Sequence, residues 1–230
     1  MQSKNYIASE NINNKHFLLG SSKFSRFLLI AVLLLCAGAA VSEIHAATIN
    51  VDRTDDTTAA TACTAAANDC SLRGAFAFAN ANSGTTINLP AGTYNLSLNE
   101  LQIGTATNIS TTITGAGAAA TTINQTVANR RVINLNPTLA ANVVVNITGV
   151  RMTGGNSPSD NFGGGGLIGG GAGNVLNLSN CVFENNVDSA SSTPKGGGIE
   201  WAGGGFLNIN NCTFNNNTAL PEVCKTPSFR

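Results

Sequence analysis

The sequence contains unusually few charged residues. Charged residues make up 10% of the chain, and 12 basic residues balance 12 acidic ones, whereas an average soluble domain has about 25% charged residues. A neutral surface lacks the positive field that attracts phosphate backbones and anionic lipids, so we expect no nucleic-acid partner. Asparagine, threonine, glycine and alanine are abundant instead, which is typical of a repetitive sheet with tight turns.

Histidine is equally scarce. The chain has two, His16 and His45, and both lie in a segment that we interpret as a signal peptide. The remainder of the chain therefore contains neither a histidine-dependent catalytic triad nor a histidine-ligated metal site. We expect no cofactor, and an enzyme built on the remaining residues would depend on carboxylates.

Residues 1–46 have the organisation of a signal peptide. Basic residues precede an uncharged apolar run from Phe27 to Ala40, and small residues after it offer a cleavage site between Ala46 and Ala47. The run is shorter than the about 20 residues that span a bilayer, although the length of the leader leaves an uncleaved anchor as an alternative. We expect a secreted or cell-surface protein (outer membrane or extracellular) whose membrane contact is limited to this leader.

Export permits disulfides. Cys63 and Cys70 enclose a short loop, which predicts a disulfide between them. Three cysteines then remain beyond the leader, so at least one thiol is left unpaired or available for an intermolecular bond.

Three eight-residue segments align without gaps. They begin at Val145, Leu176 and Leu207, which gives a period of 31 residues (145 to 176, 176 to 207). A fixed period within the range of about 20–50 residues is the signature of a solenoid. Inside each unit, apolar residues alternate with polar ones on both sides of a turn, which indicates short strands.

Stacking the coils about 4.8 Å apart gives each strand an interior that it cannot form alone. Equivalent residues then form vertical core columns. We expect two such columns: Val150, Cys181 and Cys212, and Met152, Phe183 and Phe214. Since parallel Cβ vectors strain a disulfide, we expect Cys181 and Cys212 to stay reduced.

Two further features belong to this repeat. Asn185-Asn186 and Asn216-Asn217 fall at equivalent turns, where asparagine tolerates the left-handed conformation and its amide can form a ladder between coils. Before the coils, a helical stripe predicts a short N-terminal capping helix, with Ser71 or Asp69 at its start. The residues of the stripe are Leu72, Ala75, Phe76 and Ala79.

These patterns divide the chain into a leader (1–46), a cap with a helix (47–82), the solenoid coils (83–219) and a tail (220–230). The tail offers no further strand. We therefore expect the chain to be a truncated or partial version of a longer solenoid.

Residues 70–75, Cys-Ser-Leu-Arg-Gly-Ala, resemble the Cys-Ser-Leu-Arg-Glu-Ala segment at the start of many bacterial exported β-helix proteins, with Gly74 in place of the usual Glu. Gly-Gly-Gly-Ile at 196–199 and the Phe-x-x-Asn sequences at 183–186 and 214–217 resemble repeats of polymorphic outer-membrane proteins. The likeness covers residues 48–219. It implies an all-β, right-handed parallel β-helix of the pectate-lyase-like type, exported and often displayed at a surface, with no agreed chemistry.

We expect an exported surface or adhesive scaffold without catalytic activity, which presents polar ladders to glycans or other cell-surface components. The alternative is a polysaccharide lyase or glycosidase, which needs clustered carboxylates, with Glu184 and Asp188 as weak catalytic candidates. In the structural interpretation, Glu184 pairs with Arg151 on the adjacent coil, and Asp188 is solvated in one loop with Lys195. Trp201 either stacks on a sugar or is a partly buried aromatic of the sheet.

Overall fold

A computed structural model describes residues 46–158, 162–189 and 195–220. The predicted leader up to residue 45 and the predicted tail after residue 220 lie outside the described residues. At the predicted cleavage site, Ala46 is exposed. The carbonyl of Ala47 accepts a hydrogen bond of 2.7 Å from the Thr86 amide, so the chain is already part of a sheet at this residue.

The described residues form short strands and one helix, α1 (Leu72–Ala81). The strands before residue 150 are β1 (Thr48–Asn50), β2 (Thr85–Leu89), β3 (Gly92–Leu96), β4 (Leu101–Ile103), β5 (Ser110–Gly115), β6 (Thr121–Gln125), β7 (Ile133–Leu135) and β8 (Val144–Thr148). Those after it are β9 (Arg151–Thr153), β10 (Leu167–Gly170), β11 (Val175–Ser179), β12 (Val182–Glu184), β13 (Val187–Asp188), β14 (Ile199–Ala202), β15 (Phe206–Asn210), β16 (Thr213–Asn215) and β17 (Thr218–Ala219).

The strands within one coil lie in different sheets, strands of successive coils stack in the same sheet, and the named strands pair in parallel. The six-stranded sheet has the order β1-β2-β5-β8-β11-β15, and the five-stranded sheet the order β16-β12-β9-β6-β3. The four-stranded sheet is β14-β10-β7-β4, and β13 pairs with β17. The protein is thus an all-β, parallel β-solenoid, as the alternation and the period predict.

The register confirms the 31-residue period. Val145 pairs with Leu176, and Leu176 pairs with Leu207. Towards the N-terminus the spacing is less regular, because the ladder bond between Asn146 and Thr112 spans 34 residues while that between Asn177 and Asn146 spans 31.

The predicted core columns are vertical stacks, but their last members are not buried. Phe183 pairs with Met152 below it and Phe214 above it, and the two phenyl rings stack 5.2 Å apart between centroids. Phe183 is fully buried, whereas Phe214 is 46% exposed. Cys212, above buried Cys181, is likewise only half-buried. Phe214 thus lies in the predicted column, and it is half-exposed because no described strand covers β16.

Asparagine makes the turns between the strands. Asn180, Asn185, Asn211 and Asn216 all adopt the left-handed conformation, with φ between 49° and 54°. Their side chains bond from coil to coil: Asn211 Nδ2 donates to Asn180 Oδ1, and Asn216 Nδ2 to Asn185 Oδ1, each at 2.6 Å. The left-handed turn and the ladder are thus confirmed for Asn185 and Asn216, whereas Asn186 and Asn217 form a ladder bond of 3.0 Å without adopting the left-handed conformation.

The predicted helical stripe is buried in α1. Ser71 caps its start, since its Oγ accepts a hydrogen bond of 2.9 Å from the Gly74 amide. A Cβ atom at Gly74 would overlap the carbonyl oxygen of Ala60. That carbonyl accepts a hydrogen bond from the Ser71 amide. Glycine at this position thus lets the preceding segment lie directly against the first turn of the helix.

The four cysteines among the described residues are in the states that their positions predict. Cys63 and Cys70 form the disulfide, while Cys181 and Cys212 are free. Burial raises the pKa of the Cys181 thiol to about 11. The thiol is therefore protonated at neutral pH and packs as an apolar group.

Candidate functional site

Glu184, one of the two weak catalytic candidates, lies at the end of β12. Its Oε1 is 2.6 Å from Arg151 Nη1 on the adjacent coil, which confirms the predicted salt bridge. Arg151 Nε also donates to the Ala118 carbonyl at 3.1 Å. Both side chains of the ion pair are partly exposed, so the bridge contributes at most about 1 kcal/mol.

Asp188, the other candidate, is fully buried, so the solvated position expected for it is wrong. Its Oδ1 accepts a hydrogen bond of 2.6 Å from Ser157 Oγ, and its Oδ2 one of 2.9 Å from the Lys195 amide. Ser157 lies 31 residues earlier, and stacking puts this hydroxyl below the carboxylate. No described contact joins Asp188 to Glu184, so the structure does not bring the two candidates together.

A second group of buried charges lies beside the four-stranded sheet. Arg131 is 1% exposed, and its guanidinium donates to two carbonyls, those of Gly163 and Phe162, each at 2.8 Å. Its Nη1 is 3.9 Å from Glu100 Oε2. Buried charges lose their hydration, so this arrangement is stable only because several acceptors surround the guanidinium.

Glu200 also holds the backbone next to Phe162. The Gly163 amide donates to Glu200 Oε2, and Lys195 Nζ lies 3.3 Å from Glu200 Oε1. Gly163 therefore bonds to Arg131 through its carbonyl and to Glu200 through its amide. These charges position Phe162, whose ring lies 4.8 Å from Lys195 Nζ.

Phe162 borders an open groove of about 380 Å³ on the outside of the four-stranded sheet. We call it the Phe162 groove; its main lining residues are Arg131, Asn134, Asn136, Phe162, Ile168 and Ala202. The phenyl ring is 47% exposed. Asn136 is 5% exposed, and its Oδ1 accepts no hydrogen bond from the described residues. The groove thus combines an apolar floor with amide groups, as ligand sites do.

Trp201 does not belong to this groove. It pairs in register with Gly169 in the four-stranded sheet. A Cβ atom at Gly169 would lie 2.8 Å from the indole, so the ring occupies the space that glycine leaves in the interior. The structure therefore supports a partly buried aromatic of the sheet and places the indole away from an external sugar.

The outer surface of the six-stranded sheet has a different character. Two files of its outward side chains consist of small polar residues, and we call these two files the ladder face; a third outward file beside them is Ser110, Val144, Val175 and Phe206. The first file is Thr48, Thr86, Thr112, Asn146, Asn177 and Asn208. The second is Asn50, Asn88, Thr114, Thr148, Ser179 and Asn210. All twelve are exposed or partly exposed, and none carries a charge.

Our sequence reasoning missed Glu100, Arg131 and the groove. A signal was present: Glu100 directly precedes Leu101, and Arg131 lies two residues before Ile133, which pairs with Leu101. Solitary charges beside equivalent strands stand out in a chain this poor in charge. The irregular spacing of these strands hid their equivalence.

Comparison of the chain with protein-family models, curated proteins and solved structures gave no match. In the part of the chain that the structure describes, no helix has the length and hydrophobicity needed to cross a bilayer. Within the same residues, no group of three or more His, Cys, Asp or Glu side chains is placed to hold a metal ion.

Proposed function

We propose that this protein is an exported, surface-associated β-helix that binds glycans through the Phe162 groove without transforming them. Export rests on the organisation of residues 1–46 and agrees with the Cys63–Cys70 disulfide, since disulfides persist in oxidising compartments. The resemblance of residues 70–75 and of the repeats to exported β-helix proteins supports the same assignment.

The handedness of the coil and the role of α1 are also part of this proposal. We assign a right-handed coil, because nearly all crossovers between parallel strands of one sheet have this hand. We assign a capping role to α1, which packs against β2 and against β4, the edge strand of the four-stranded sheet. Covering an edge protects it from pairing with another chain.

The observation that carries the function is the half-exposed phenyl ring of Phe162 beside an apolar floor and two asparagine amides. A sugar has an apolar face of C–H groups and an edge of hydroxyls, so it matches both parts of this surface. Hydrogen bonds from Arg131 and to Glu200 hold the backbone at Phe162 and Gly163. Such fixation lowers the entropic cost of binding.

The enzymatic alternative receives less support from the carboxylates. Glu184 is engaged by Arg151, and Asp188 is buried against Ser157 and the Lys195 amide. A lyase or glycosidase needs carboxylates that reach the scissile bond.

An array of soluble oligosaccharides tests the proposal with the full chain and two variants. We expect Phe162→Ala to weaken binding at least about tenfold, the equivalent of about 1.4 kcal/mol. Phe206→Ala is the matched control, because that ring is 67% exposed but lies outside the groove. Wild-type protein that binds no oligosaccharide, or equal losses in the two variants, would contradict the proposed function.

A further inference from the structure

The ladder face is uncharged and periodic, and the groove does not explain it. Its two files continue over six strands, from β1 to β15, without a charged residue. A surface that offers no charge is complementary to a neutral partner, because it gives an anionic or cationic polymer nothing to pair with.

The spacing of the files is fixed by the backbone. Neighbouring parallel strands lie about 4.8 Å apart, so each file repeats its polar groups at this distance along the stack. The second file lies two residues further along every strand, about 6.6 Å away. A rigid array of this kind matches a partner that is itself ordered and repeats at the same interval.

The amides of the first file bond to one another and keep further hydrogen-bonding groups for a partner. Asn146 Nδ2 donates to Thr112 Oγ1 at 3.2 Å, Asn177 Nδ2 to Asn146 Oδ1 at 2.7 Å, and Asn208 Nδ2 to Asn177 Oδ1 at 2.7 Å. Each amide uses one N–H for the ladder. A second N–H and a further lone pair on the oxygen remain for a ligand.

An amide ladder imposes its own repeat, because N–H···O=C geometry fixes the distance from one amide to the next. A polymer whose acetamido groups stack in such a ladder therefore repeats at about the strand spacing of a β-sheet. Crystalline polymers of N-acetylated hexosamine have this chemistry: they are neutral, ordered and joined side by side through their amides.

We propose that the ladder face binds the surface of a crystalline N-acetylhexosamine polymer, with one polysaccharide chain along each strand. Binding uses many weak, equivalent contacts rather than a pocket. The site is separate from the Phe162 groove, and the inference does not depend on oligosaccharide binding there.

The test is co-sedimentation of the full chain with insoluble crystalline chitin. The ladder variant is Asn177→Lys, which puts a charge in the middle of the face. The matched control is Asn124→Lys on the five-stranded sheet, where Asn124 Nδ2 donates to Asn95 Oδ1 at 2.8 Å in an equivalent pair. We expect Asn177→Lys to reduce the bound fraction at least about tenfold, and Asn124→Lys to behave as the wild type. Circular dichroism and thermal melting establish that both variants are folded.

Two further measurements make the result specific. Phe162→Ala should still bind chitin, which separates this site from the groove. Absence of wild-type binding, equal loss in the two lysine variants, or equal binding to crystalline cellulose would overturn the proposal. Thermal hysteresis of freezing that is lost in Asn177→Lys, without chitin binding, would also overturn it and assign the face to ice.

Discussion

The ladder face and the Phe162 groove are built from different kinds of sequence. The ladder face repeats the same few uncharged side chains on every strand, whereas the Phe162 groove depends on single residues that occur once. Arg131, for example, has no basic equivalent on the neighbouring coils: the corresponding positions, two residues before Leu101 and Leu167, are Asn99 and Gly165. Repeated residues form the stack of coils, whereas residues that occur once form the Phe162 groove. Changes to the two surfaces should therefore have different consequences.

We expect the largest loss of stability from substitution of Arg131, which supports the Phe162 groove. Arg131→Met leaves Glu100 and the Phe162 and Gly163 carbonyls without their buried cation. We expect the free energy of unfolding to fall by about 3–5 kcal/mol, measured by urea denaturation followed by circular dichroism. Arg130→Met is the control; its Nη1 donates only to the adjacent Asn129 carbonyl among the described contacts. If both variants lose the same stability, the buried cluster does not hold the loop.

The next largest effect is expected within the stack of coils, where a buried and a half-exposed phenylalanine occupy the same column. Phe183→Ala removes a buried ring, and we expect a loss near the lower end of the range of about 3–5 kcal/mol, because Phe214 has room to move inward. Phe214→Ala removes a ring that is 46% exposed, and we expect about 1–2 kcal/mol. The same denaturation experiment measures both. Equal losses would show that Phe214 is covered in solution.

The smallest effect is expected at Glu184. Glu184→Gln removes a partly exposed ion pair with Arg151, so the free energy of unfolding should change by no more than about 1 kcal/mol. The variant also tests the enzymatic alternative. Incubation of the wild type with pectic and uronate polymers should give no unsaturated product; turnover that Glu184→Gln abolishes would instead establish a lyase and reject the binding scaffold.

The repeating part of the fold was predictable because its residues recur. The positions of Val145, Leu176 and Leu207 give the period directly, and Asn185 and Asn216 mark its turns. The disulfide and the helix followed from local spacing, since Cys63 and Cys70 are close in sequence and the helical stripe from Leu72 occupies one face.

The remaining features depend on contacts between coils that sequence spacing does not reveal. Asp188 looked like a loop residue, yet Ser157 lies beneath it only because the coils stack. Glu100 and Arg131 meet because β4 and β7 pair, although the segments that lead to them differ in length. Phe214 shared the pattern of Phe183 but not its burial, since a column position is buried only when strands lie on both sides of it.

The amides of the first ladder file also have a direction. Asn146, Asn177 and Asn208 each donate to the coil that precedes them. The hydrogen bonds are therefore polar along the stack: each of these coils presents amide donors towards its predecessor and amide acceptors towards its successor. If the coils form in chain order, each added coil brings its donors to acceptors that are already in place, and a coil in the wrong register would leave them unpaired.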